Sequence, residues 1–125
     1  MISLKELNPH NYPTTDEIDA NLNTLLERLN RIREAYGIPM TITSGLRDAA
    51  QQEALIAAGK SNAPKSKHLI GCAADIADAD GKFYDWCKAN EALLEEVGLW
   101  CEARMGGWQH LQSLAPKSGK RWFIP

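Results

Sequence analysis

Between Asp16 and Tyr36 the apolar residues Ile18, Leu22, Leu25, Leu29, Ile32 and Tyr36 recur at spacings of four, three, four, three and four. That stripe predicts one amphipathic helix over 16–36 with a single buried face. Thr14-Thr15-Asp16-Glu17 reads as a capping box, with Thr14 as the cap and Glu17 three residues on. Gly37 and Pro39 end the helix. Met40-Thr41-Ile42-Thr43 is β-rich and predicts a first short strand, and Ser44-Gly45-Leu46-Arg47 turns out of it. Asp48 is a good cap for a second helix near 49–58, closed by Gly59. The stretch from Lys60 to Lys67 is polar and rich in breakers, so it should be an exposed loop. A strand over Gly71 to Ala77 follows, and Asp78-Ala79-Asp80-Gly81 turns into a helix over 82–97 that carries Phe83, Trp86, Cys87, Leu93, Leu94 and Val97. Leu99 to Arg104 and Trp108 to Gln112 flank Met105-Gly106-Gly107, the pattern of a hairpin with a three-residue loop. A last short strand is expected within Arg121 to Ile124. The order of elements predicts an α+β fold, with helices packed on a small, mostly antiparallel sheet.

A length of 125 residues suits one domain over 1–125 with one modest core, and neither a repeat nor an interdomain linker interrupts it. Net charge is −2 with both signs mixed along the chain, so the sequence makes no electrostatic case for nucleic acid or an anionic membrane. No apolar run approaches the length of a membrane span. The segment Met1-Ile2-Ser3-Leu4-Lys5-Glu6 lacks the basic-then-apolar pattern of a secretory signal, so synthesis in the cytoplasm is expected. Cys72, Cys87 and Cys101 are odd in number and show no CxxC spacing, which favours three reduced, buried thiols over a disulfide framework. A monomer is expected. His10, within Asn8-Pro9-His10-Asn11-Tyr12-Pro13, reads as a surface loop residue.

The remaining two histidines sit in a different setting. His68 and Asp75 lie seven residues apart in Ser66-Lys67-His68-Leu69-Ile70-Gly71-Cys72-Ala73-Ala74-Asp75, and His110 follows within Gly107-Trp108-Gln109-His110. Two imidazoles and one carboxylate form a ligand set that binds zinc and leaves a coordination position open to water. On an extended 71–77 segment Ala73, Asp75 and Ala77 share a face, which turns Cys72 away from Asp75 and leaves small neighbours beside the carboxylate. His68 stands at an odd offset from Asp75, so it must arrive from the preceding loop, with Gly71 permitting the bend. The expected hairpin pairs Arg104 with Trp108, Glu102 with His110 and Trp100 with Gln112. Glu102 then stands beside the proposed third ligand, where a carboxylate can serve as general base and later as general acid.

At these residues the sequence resembles the M15 family of zinc peptidases, which includes D-alanyl-D-alanine carboxypeptidases and phage L-alanyl-D-glutamate endolysins and shares a fold with the hedgehog signalling domain. The family pattern SxHxxGxAxD is met at Ser66, His68, Gly71, Ala73 and Asp75, and a Ser-Gly-x-Arg segment is met at Ser44-Gly45-Leu46-Arg47. The resemblance spans roughly residues 35–113. It implies that His68, Asp75 and His110 bind Zn2+, that Arg47 and Ser66 contact the substrate, and that the substrate is a peptide of peptidoglycan. Together with that resemblance, the small size, the lack of a secretory signal pattern and the reduced cysteines favour a phage or prophage lysis enzyme that reaches the cell wall only after release from the cytoplasm. Several family members place the catalytic Glu three residues before the last His, where this chain has Gly107; Glu102 lies eight residues before it. The alternative reading is a non-catalytic zinc domain of the same fold, binding peptidoglycan or a protein partner.

Overall fold

The apolar stripe does fold as one helix, α2 (Asp16–Tyr36), with Leu22, Leu25, Leu29 and Ile32 buried along one face. Each such aliphatic side chain contributes about 1.5–3 kcal/mol of burial free energy. Its cap is Thr15 rather than Thr14: the Thr15 hydroxyl accepts from the Ile18 amide, while Thr14 donates to the Asp19 carboxylate. Gly37 closes the helix in the left-handed conformation at φ 73°. The computed structural model describes residues 1–61, 63, 65–103 and 106–124.

Ahead of α2 lies a one-turn helix, α1 (Leu4–Leu7), capped by Ser3 and too short to leave a periodic signal. The remaining elements are β1 (Ile42–Ser44), α3 (Ala49–Ala57), a 3-10 turn over Lys67–Ile70, β2 (Ala73–Asp78), α4 (Lys82–Ala89), α5 (Glu91–Val97), β3 (Trp100–Glu102), β4 (Gly107–Gln112) and β5 (Trp122–Phe123). The helix expected over 82–97 is therefore two helices, broken at Asn90. There the side-chain amide donates to the Trp86 carbonyl, and the backbone N–H is shared between Trp86 and Cys87. The first strand begins two residues later than expected and the second runs from Ala73 to Asp78. The buried Asp78 carboxylate accepts from the Phe83 and Tyr84 amides and so starts α4.

The fold is α+β, with a five-stranded sheet in the order β1-β2-β4-β3-β5. All neighbours are antiparallel except β3 and β5, which run parallel. Trp100 pairs with Gln112 as expected, and Gly107 is already in strand β4, opposite Asp78. The expected pairing of Arg104 with Trp108, and Met105 of the expected loop, lie outside the described residues. Alternation gives the sheet two unlike faces. Ala74, Ile76, Cys101 and Leu111 join the core with Leu25, Leu29, Phe83, Cys87, Leu94 and Val97. Asp75 and His110 point to the other face. All three cysteines are free and buried, and among the described residues no helix is long and apolar enough to cross a membrane.

One close approach ties α1 to the chemistry-bearing face. The Leu46 amide donates to the Leu7 carbonyl at 2.7 Å, and a Cβ on Gly45 would overlap that same carbonyl. Gly45→Ala must push the two backbones apart, at about 1–3 kcal/mol for overpacking. A chemical-denaturation curve of the variant should show that loss of stability, whereas an unchanged midpoint would mean that α1 shifts freely.

Candidate metal centre and active-site cleft

Three adjacent strands lay the polar residues in a row. Asp75 on β2 is directly opposite His110 on β4, and Ala73 and Ala77 beside it pair with Gln112 and Trp108. On the other side Ser44 of β1 pairs with Asp75 across an irregularity between Ile42 and Ser44. Such a bulge re-aims the side chains that follow it, and Arg47 comes next. His68 arrives on the 3-10 turn rather than on an open loop. Gly71 ends that turn at φ 77°, where a Cβ would press on Leu22 of α2. The His68 carbonyl also accepts from the Arg47 amide at 3.1 Å.

His68, Asp75 and His110 converge: one ligand atom from each lies within 4.8 Å of the others. Nδ1–H of His68 donates to the Gly45 carbonyl at 2.8 Å, which leaves Nε2 as an acceptor 3.3 Å from Asp75 Oδ1. Gln112 donates its amide to the Leu114 carbonyl, so its Oε1 accepts from Nε2–H of His110 at 2.9 Å. His110 Nδ1 is left facing Asp75 Oδ1 at 3.0 Å. Three acceptor atoms turned on one another suit a cation among them. Ligands on a tetrahedral zinc with bonds of 2.0–2.1 Å stand roughly 3.3–3.4 Å apart, close to the two separations found between these groups. The residues present fit the ion, and the outward ring nitrogens are fixed by the carbonyl and amide partners that orient metal-binding imidazoles.

Burial pushes the His68 imidazole below its ordinary pKa, against the pull of Asp75, and so favours the neutral form that a metal needs. Burial also disfavours the charged form of His110, but Asp75, Gln112 and Glu102 outweigh it and raise that group. Burial alone would raise the Asp75 carboxyl; the two imidazoles packed against it, in their protonated forms, hold it well below the usual carboxylate range. The other oxygen of Asp75 accepts from the Arg47 guanidinium at 3.2 Å.

Arg47 is held on two further sides, by Ser44 Oγ at Nε and by Gln52 Oε1 at 3.0 Å. Gln52 is almost wholly buried on α3 and donates to Ser61 Oγ and to the Ala63 carbonyl. A cleft of about 640 Å3 opens over the row, with Arg47, Ser66, His68, Asp75, Glu102 and His110 all in its wall and Trp108 at its rim. Glu102, the last residue of β3, is half-buried; extending the β3–β4 register by one residue sets it across from His110. Burial raises its carboxyl above the ordinary value, with His110 opposing and Asp75 adding to the shift. Gly107 alternates with Gln109 and Leu111, away from the His110 side. Ser66 caps the 3-10 turn by accepting from the His68 amide and lines the cleft.

Sequence reasoning missed Gln52, Gln112 and Trp108 as parts of this site. Trp108 and Gln112 were within reach, because both share the strand alternation of His110. Gln52 left no signal, since a polar residue on a short helix reads as solvent-facing.

The sequence profile of the peptidase M15 family matches residues 2–111. The chain belongs to that family. Its fold is similar to that in the crystal structure of the Serratia marcescens L-Ala D-Glu endopeptidase ChiX, with a TM-score of 0.57 and 23% identity over 91% of this chain and 99% of that one. A search of curated proteins finds no match. Membership makes this chain a peptidase, and a peptidase acts on a peptide bond within reach of such a cleft.

Proposed function

We propose that residues 1–125 form one zinc-dependent peptidase domain that hydrolyses a peptide bond in the stem peptide of peptidoglycan. The observation that carries the reading is the convergence of His68 Nε2 and His110 Nδ1 on Asp75 Oδ1, at 3.3 and 3.0 Å, beside Glu102. A zinc ion held by these three residues supplies Lewis acidity, polarising a carbonyl oxygen and making water a better nucleophile at neutral pH. Glu102 accepts the proton of the attacking water and returns it to the leaving amine, a task suited to a carboxyl whose pKa is raised. Arg47 offers a fixed, permanently charged fork to a substrate carboxylate or to the developing oxyanion, preorganised by Ser44 and Gln52. Ser66 donates to the peptide backbone near the reacting bond. Polar lining residues extend on both sides of Glu102 and His110, in the cleft and in a second groove beyond them. Chain on both sides of the scissile bond suits an endopeptidase better than a carboxypeptidase, and the structurally similar Serratia protein is itself an L-Ala D-Glu endopeptidase. An endolysin-type role at the cell wall fits that chemistry.

The test is digestion of purified peptidoglycan by the zinc-loaded protein, with an EDTA-treated control and mass spectrometry of the released fragments. EDTA-sensitive fragments ending at one stem bond are expected. Intact peptidoglycan with one zinc bound per chain would move the assignment to the non-catalytic zinc domain.

A further inference from the structure

A surface helix of a small domain ordinarily docks through an apolar stripe. Helix α3 docks through an amide: Gln52 is its one buried residue, at 2% exposure, while Ile56 stays 37% exposed. Both ends of that amide are used. Oε1 accepts from Nη1 of Arg47 at 3.0 Å, and Nε2 donates to Ser61 Oγ at 3.0 Å and to the Ala63 carbonyl at 2.7 Å. Ser61 Oγ also accepts from the Ala63 amide at 3.3 Å. Arg47, Ser61 and Ala63 all line the cleft. Only a side chain with an acceptor and a donor on one rigid plane can serve a guanidinium and a carbonyl at once. A carboxylate would serve the first and repel the second. An apolar side chain of equal length would serve neither, a costly loss for groups out of water.

We infer that Gln52 is a positioning residue that joins Arg47 to the cleft wall at Ser61 and Ala63, so that the two move as one unit. A peptide pressing on that wall then sets the guanidinium across the amide. By reciprocity, a peptide group held by Arg47 steadies the wall. The inference deepens the peptidase reading and rests on it for the kinetic consequence, whereas the linkage is a property of the resting protein.

Heteronuclear NMR spectra of the zinc-loaded protein read the linkage at the Nε–H of Arg47, which donates to Ser44 Oγ. Loss of the signal in Arg47→Lys assigns it. Ser61→Ala removes one partner of the Gln52 amide without touching Arg47. It should shift the Arg47 signal and speed its hydrogen exchange several-fold, and the same change made in Gln52→Met should add nothing. Gln52→Glu keeps an acceptor for Arg47 but has no donor for Ala63. It should leave the Arg47 signal in place and speed exchange at the Ala63 amide. It should also raise KM on the order of tenfold with kcat nearly constant, the scale of one or two lost hydrogen bonds. Should Gln52→Met fail to fold, the other two variants still decide, because neither removes a partner of Arg47. An Arg47 signal indifferent to Ser61→Ala, or wild-type exchange at Ala63 in Gln52→Glu, would overturn the linkage, and a wild-type KM would overturn its bearing on the substrate. If the spectra show the linkage and no peptide is cut, the peptidase reading fails while the linkage stands.

Discussion

Glu102→Gln should slow peptide hydrolysis by about 10²–10⁴-fold while leaving the proposed zinc binding and the fold unchanged. The amide keeps the size and shape of the side chain at the end of β3 but cannot accept a proton from water. General-base catalysis by a positioned side chain is worth about 10²–10⁴-fold, so kcat is expected to fall by that factor with KM nearly constant. Glu102 is half-buried in the cleft wall, with its carboxyl raised by desolvation and its backbone carbonyl accepting from the Gln109 amide at 2.7 Å. The backbone anchor does not involve the carboxylate, so the substitution leaves the strand pairing in place. Zinc measured by mass spectrometry and kcat measured on the same preparation separate the outcomes. Unchanged turnover would remove Glu102 from the chemistry and leave the role of base with another group. The position that carries Glu in several relatives is Gly107 here, at φ 87° and on the opposite side of the strand from His110. A carboxylate arriving from the facing strand β3 is the arrangement this fold makes available.

The parts of this protein that periodicity reaches were legible, and the parts set by single contacts were not. Helix α2 emerged with its bounds because six apolar residues mark one face over more than five turns. The α4–α5 break left no such mark: Cys87, Leu93, Leu94 and Val97 continue an apolar pattern across Asn90, whose side chain bonds back to Trp86. Helix α1 is a single turn held by the buried Ile2 and Leu7. At the site, the strand period placed Asp75 apart from Cys72, and the hairpin register set His110 against Glu102. Motif resemblance supplied Arg47 and Ser66. What stayed hidden was the support behind them, namely the Gly45 carbonyl on His68, Gln112 on His110 and Gln52 on Arg47. Only the Gly45 contact joins residues far apart in sequence; Gln112 lies two residues from His110 and Gln52 five from Arg47, but a backbone carbonyl and two amide side chains are ordinary at any surface and mark no site by themselves.

The centre of the ligand set offers the second large effect. With zinc held as proposed, Asp75→Asn should strip the protein of the ion and with it all measurable hydrolysis. Changes to outer partners of metal ligands cost roughly 10–100-fold in affinity or activity, and removal of a directly bound charge exceeds that. Asp75 is also where two imidazoles and a guanidinium meet. His68 and His110 approach Oδ1 at 3.3 and 3.0 Å, and Arg47 approaches Oδ2 at 3.2 Å. Asparagine keeps the volume between Ala73 and Ala77, so the strand can still pair with β4, but it replaces an anion with a neutral amide. The Arg47 guanidinium, only 12% exposed at its side chain, then loses its charged partner, and an unpaired buried charge is costly. The variant should therefore show lost zinc together with a lowered melting temperature. Glu102→Gln should show neither, because its carboxylate has no ion-pair partner among the described residues. Zinc retained at wild-type stoichiometry in Asp75→Asn would mean that the carboxylate only anchors Arg47, and that the two imidazoles hold the ion with some other group.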